Sequence, residues 1–144
     1  MDTTKLSGLE YLIALKNGDL PKSPMSQTVP MQLTVVEPHY VEYEVQPDER
    51  HINLQGGIHG GFYATVLDSV TGAAVRTALG PGIRFSTIDL NVKMLKAIKC
   101  DHTYTAIGQV IRTGKSVLTS EGRIIDNEGN IYAFGSATLL VLQK

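Results

Sequence analysis

The chain has 144 residues, 42% of them hydrophobic and 19% charged, which fits one globular domain that buries most of its apolar surface and leaves no room for a second. A formal net charge of −1 argues against a nucleic-acid binder, whose affinity would rest on many phosphate contacts. A single cysteine, Cys100, excludes an internal disulfide framework and suits a reducing cytoplasm. The first residues interleave acids and bases with apolar residues, so neither a secretory segment nor a membrane span is read there.

In chain order, Leu6, Leu9, Tyr11, Leu12 and Leu15 recur at helical spacing and predict a short helix over residues 6–16, stopped by Asn17-Gly18. Residues 20–30 hold three prolines among small polar residues and read as an irregular connector that crosses the surface or caps a pocket. Residues 1–30 are thus an N-terminal helix and connector, and 31–144 a single folded unit. Strands are predicted at 31–36 and 40–45, paired through the turn Glu37-Pro38-His39.

The stretch NLQGGIHGGFYATVLDSVTGAA, residues 53–74, places four glycines around His59 and then feeds a long apolar helix predicted to end near residues 79–82. One carboxylate, Asp68, sits among Phe62, Val66, Leu67, Val70 and Ala73. A buried, unpaired carboxylate costs several kcal/mol or takes up a proton, so it asks for a reason, and a catalytic base is one. The plainer alternative is a partly exposed residue or an ion pair with Arg76.

Beyond that helix the pattern is strand. Residues 86–95 alternate Ile88, Leu90, Val92 and Met94 with Thr87, Asp89, Asn91 and Lys93, which predicts a sheet strand with the first set on the core. Runs at 103–112, 116–125 and 131–142, joined by turn sequences, predict consecutive antiparallel strands. The fold class is therefore α+β, an antiparallel sheet curved around one long central helix.

The motif N-x-x-G-x-x-H-G-G, met here as Asn53, Gly56, His59, Gly60 and Gly61 and followed by Asp68 and the run Thr87-Ile88-Asp89-Leu90-Asn91-Val92, resembles the hotdog-fold acyl-CoA thioesterases, in particular the phenylacetate-pathway type. The resemblance covers about residues 35–142. It implies a hotdog fold, hydrolysis of a small aromatic or short- to medium-chain acyl-CoA, and active sites shared within a homodimer, two of which join as a dimer of dimers. It implies that Asn53 positions water or the carbonyl, that His59 orients the loop or serves in proton transfer, and that Thr87, or Ser86 one register away, holds the attacking water. Arg112, Gly114 and Lys115 resemble the basic turn near the nucleotide part of coenzyme A, which is substrate here and not a cofactor. Relatives often carry an arginine-proline pair near the end of the Asp89 strand, where this chain reads Lys93-Met94-Leu95-Lys96.

The residues support that chemistry independently. At the start of a helix the N–H groups of Gly60 and Gly61 lack helical acceptors and face the positive end of the dipole, a setting for an oxyanion. Asp68 lies eight residues on, roughly 12 Å along the axis, so two chains with antiparallel helices bring one Gly60 beside the other's Asp68. Asp68 then acts as general base on water or as nucleophile on the thioester carbonyl. Phe62, Tyr63, Leu67, Phe85 and Met94 are candidates for an acyl tunnel or for plain core. No G-x-S-x-G elbow, zinc spacing, dinucleotide fingerprint or P-loop is present, so no metal is expected. The competing reading is a non-catalytic acyl-CoA or acyl-lipid binding module on the same fold.

Overall fold

A computed structural model describes residues 1–142. Helix α1 spans Gly8–Asn17, entered through a capping box between Ser7 and Glu10 and closed by Gly18 in the left-handed region at φ 85°, a conformation glycine adopts without steric cost. The connector is less irregular than its prolines suggest, because a single turn, α2 (Met25–Thr28), starts directly after Pro24. Strands β1 (Met31–Glu37) and β2 (Tyr40–Val45) form the hairpin, with His39 at φ 68° in its turn.

The central helix α3 spans Gly60–Arg76 and ends sooner than the Gly80-Pro81 signal. Thr77 stops it: its hydroxyl donates to the Ala74 carbonyl at 2.6 Å and accepts from the His39 N–H at 2.7 Å, tying the helix end to the β1–β2 turn. The remaining strands are β3 (Arg84–Met94), β4 (Tyr104–Thr113), β5 (Val117–Ile125) and β6 (Ile131–Leu142). All pairings are antiparallel, in the order β1-β2-β4-β5-β6-β3, so β3 crosses to the far edge and pairs with β6.

The sheet curls around α3, which packs on β2 through β6 and buries Phe62, Tyr63, Val66, Leu67 and Val70. A row of glycines runs across the three middle strands, Gly108 opposite Gly122 opposite Gly135. A Cβ on Gly108 would collide with the Val70 carbonyl, and one on Gly122 would lie 2.9 Å from Val70 Cγ2. The missing side chains let the helix rest almost on the sheet backbone.

The alternation in β3 departs from expectation. A bulge between Thr87 and Asp89 leaves Ile88 and Asp89 both exposed and shifts the phase, so Phe85 and Thr87 join Leu90 and Val92 on the helix side. Thr87 therefore faces inward, while its neighbour Ser86 lies exposed on the opposite face, as period two requires.

Candidate active site

The loop before α3 is built around Asn53. Its side-chain oxygen accepts from the N–H groups of Gln55 at 2.9 Å and Gly57 at 3.1 Å, and its own N–H donates to the Gly57 carbonyl at 2.8 Å. Gly56, at φ 87°, turns the chain within this ring of hydrogen bonds. The Asn53 oxygen is thus committed to the loop, and its amide NH₂ is left without a partner among the described residues.

His59 caps the helix. Its Nδ1 accepts from the Gly61 N–H at 2.7 Å, which fixes that nitrogen as unprotonated, and its N–H donates to the His51 carbonyl at 2.7 Å. This corrects the expectation of two available donors. Gly61 is satisfied by its own N-cap, and the Gly60 N–H is the one at the helix start that has no acceptor among the described residues. Removing the cap with His59→Ala is expected to lower stability by about 1 kcal/mol in a denaturant titration, with His59→Asn restoring it.

His51 lies just outside the motif that runs from Asn53 to Gly61. It is 8% exposed, accepts from the Asp48 N–H at 2.9 Å through Nδ1, donates from Nε2 to the Thr28 carbonyl at 2.8 Å, and packs 4.8 Å from Phe62. It thereby clamps α2, the 3₁₀ turn Glu49–His51 and the glycine loop together. The D-x-x-H spacing of its capping box with Asp48 was the signal available. Among the described residues, no group of three or more His, Cys, Asp or Glu is placed to hold a metal ion.

Asp68 lies on the exposed side of α3 in the single chain, so the expectation of a carboxylate buried among apolar residues is corrected. Its apolar sequence neighbours turn the other way, toward the sheet, because successive helical residues are about 100° apart. Asp68 and Thr87 line one cavity of about 370 Å³. Its walls come from α1, the connector, β1, β2, α3 and β3, so the two edge strands of the curled sheet meet the same space. Leu15, Met31, Leu33, Tyr43, Ala73 and Phe85 give it an apolar lining, and Lys22 and Arg76 add cations. Burial pushes the Tyr43 phenol up to about 12, against the nearby Arg76 charge, which keeps it a neutral O–H donor.

Of the other tunnel candidates, Phe62 and Leu67 are core and Met94 is half exposed, its Sδ and Cε lying against the Gly60 backbone. Tyr63 is buried, donating to the Lys96 carbonyl at 3.2 Å and accepting from the Ile98 N–H at 2.9 Å. Gly60 and Asp68 stand on one unbroken helix, roughly 12 Å apart along it, so a single chain does not bring them to one carbonyl. Arg112, Gly114 and Lys115 do not join the cavity. Arg112 stands at the end of β4, and Gly114 and Lys115 form the β4–β5 turn, where Ser116 is level with Val141 and Phe85, two strand spacings or roughly 10 Å from β3. Gly114 is needed there because a Cβ would strike the Val117 carbonyl.

A single long helix wrapped by a six-stranded antiparallel sheet, with a glycine loop at its start and a carboxylate on its free face, defines a hotdog fold. Residues 55–133, more than half of the chain, match the family described as the Thioesterase superfamily. A protein of Halobacterium salinarum named as an esterase is 37% identical over 73 residues, 49% of this chain and 47% of its own, so the match spans about half of that relative. Human acyl-coenzyme A thioesterase 13 is 30% identical over 109 residues, covering 74% of this chain and 76% of that protein. Among solved structures, a phenylacetic acid degradation-related protein from Ralstonia eutropha JMP134 superimposes with a TM-score of 0.83 at 23% identity, over 91% of this chain and 99% of that one. The chain belongs to the thioesterase superfamily and is a thioester hydrolase.

Proposed function

We propose that the chain hydrolyses acyl-CoA thioesters carrying a small aromatic or short- to medium-chain acyl group. The observation that carries this reading is the convergence of Asp68 and Thr87 on one largely apolar cavity of about 370 Å³. The name of the human relative, acyl-coenzyme A thioesterase 13, supports coenzyme A as the thiol. In this scheme Asp68 takes a proton from a water held by the Thr87 hydroxyl, and the water oxygen attacks the thioester carbonyl. The presence of a hydroxyl-bearing residue on the same cavity as the carboxylate favours this route over direct attack by Asp68. The Gly60 N–H then stabilises the oxyanion, Asn53 donates its free NH₂ toward the water or carbonyl, and the thiolate of coenzyme A leaves.

A complete site needs two chains. The outer edge of β3 is unpaired in the sheet order, and Ile88 and Met94 on that strand are 58% and 51% exposed. Such an edge is a template for a second copy. Antiparallel pairing of two β3 strands about a two-fold axis sets the two α3 helices side by side in opposite directions, Gly60 of one near Asp68 of the other. A dimer of dimers would cover the half-exposed Ile131 and Phe134 on the outer sheet face. Arg112 and Lys115, both exposed, supply the cations that the phosphates of coenzyme A require.

The test is release of free thiol from a panel of thioesters running from acetyl-CoA through long-chain acyl-CoA to phenylacetyl- and hydroxybenzoyl-CoA. Turnover of medium-chain or aromatic members is expected. Tight binding without thiol release from any member would sink the proposal and favour a binding module.

A further inference from the structure

Arg76 closes α3 at the far end of the cavity from Asp68, eight residues and roughly 12 Å along the helix. Its guanidinium lies over the Tyr11 ring at 5.0 Å and the Phe85 ring at 5.4 Å. Among the described residues it makes neither an ion pair nor a side-chain hydrogen bond, and the ion pair with Asp68 considered from sequence does not form. Stacking uses the faces of a guanidinium and leaves its in-plane N–H donors unspent. Tyr43, close enough to feel the Arg76 charge, lines the same cavity, and its hydroxyl has no acceptor among the described residues. Lys22 reaches the same lining, its ammonium donating to Gln32 Oε1 at 2.8 Å. The walls therefore carry two cations against one carboxylate, and that carboxylate is the group assigned to the chemistry.

An alkyl tail pushed against these donors would strip them of water and give nothing back. A carboxylate would accept from the guanidinium fork and from the phenol together, a charge-assisted geometry. We propose that Arg76 and Tyr43 form a subsite for the distal end of the acyl group, and that the preferred thioesters carry a medium-length acyl group ending in a carboxylate. This rests on the thioesterase reading above and adds to it the class of acyl group.

Suberyl-CoA and octanoyl-CoA share chain length and differ at the terminus, so their ratio isolates the subsite. Wild-type kcat/KM is expected to favour suberyl-CoA by roughly tenfold or more. Arg76→Met should shift that ratio toward octanoyl-CoA by roughly ten- to hundredfold, the range for a hydrogen bond to a charged group. Arg76→Lys should retain part of the preference, a rescue that a purely structural arginine would not show. A wild-type preference for octanoyl-CoA, or a ratio unmoved by Arg76→Met, overturns the subsite. Dissociation constants of both thioesters for Asp68→Asn, with and without Arg76→Met, are measured in parallel. If the wild type hydrolyses neither of these nor any other thioester of the panel, the thioesterase reading fails. The binding ratio still decides the subsite, equal affinities overturning it and a suberyl preference lost with Arg76→Met upholding it.

Discussion

Asp68→Asn is expected to lower turnover by roughly 10²–10⁴-fold, the usual worth of a positioned general base, while KM changes little. The substitution is nearly isosteric. Asp68 is exposed in the single chain and makes no ion pair or side-chain hydrogen bond among the described residues, so the amide leaves the fold intact and stability within about 0.5 kcal/mol. Thiol release and a denaturant titration on the same preparation separate the two effects. An Asn variant hydrolysing at the wild-type rate would remove Asp68 from the mechanism, and the water-holding role proposed for Thr87 with it.

Mixing subunits gives the second large effect. Proline suits the first position of a helix, where no intrahelical partner awaits its N–H, and Gly60 is that position in α3. The preceding residue, His59, has φ −60° and ψ 138°, the region a residue before proline prefers. Gly60→Pro therefore deletes one donor and leaves the helix, and a loss of roughly 10²–10³-fold is expected if that donor holds the oxyanion. Homodimers of Asp68→Ala and of Gly60→Pro should each be nearly inactive. A heterodimer carries one doubly damaged site and one intact site, and is expected to recover about half of the wild-type rate. Verified heterodimers as inactive as their parents would refute a site shared between chains.

The punctuation of the fold was legible in the residues. Asn17-Gly18 ended α1, Pro38-His39 turned the first hairpin, and the helix carrying Asp68 began at the glycine pair, because these features depend on local backbone chemistry. The candidate cluster of Asn53, His59 and Gly60 could be found for the same reason, as a loop that makes its own hydrogen bonds. Non-local features escaped. The bulge at Ile88 is a feature of the pairing of β3 with β6, and it changes which alternate residues face the helix before it, bringing in Phe85 and Thr87 in place of Ile88. The sidedness of Asp68 depends on where the sheet packs, which its apolar neighbours along the chain do not reveal. The commitment of the Gly61 N–H to His59 depends on a side-chain rotamer, and the clamp made by His51 on partners from Thr28 to Phe62.

The glycine row across β4, β5 and β6 has a bearing on how this protein can change. With α3 seated on backbone at Gly108 and Gly122, nothing the size of an acyl group fits beneath the helix, and the room lies at its flank, between the two sheet edges and the N-terminal segment. Under the proposed function the acyl group is measured by side chains of that flank such as Lys22 and Phe85, which are distinct from Val66, Leu67 and Val70 beneath the helix, while Leu12, Leu33 and Ala73 belong to both the cavity wall and the core. Under that reading, new acyl preferences can arise at the cavity residues outside the core, with the seating of the helix on the glycine row left in place.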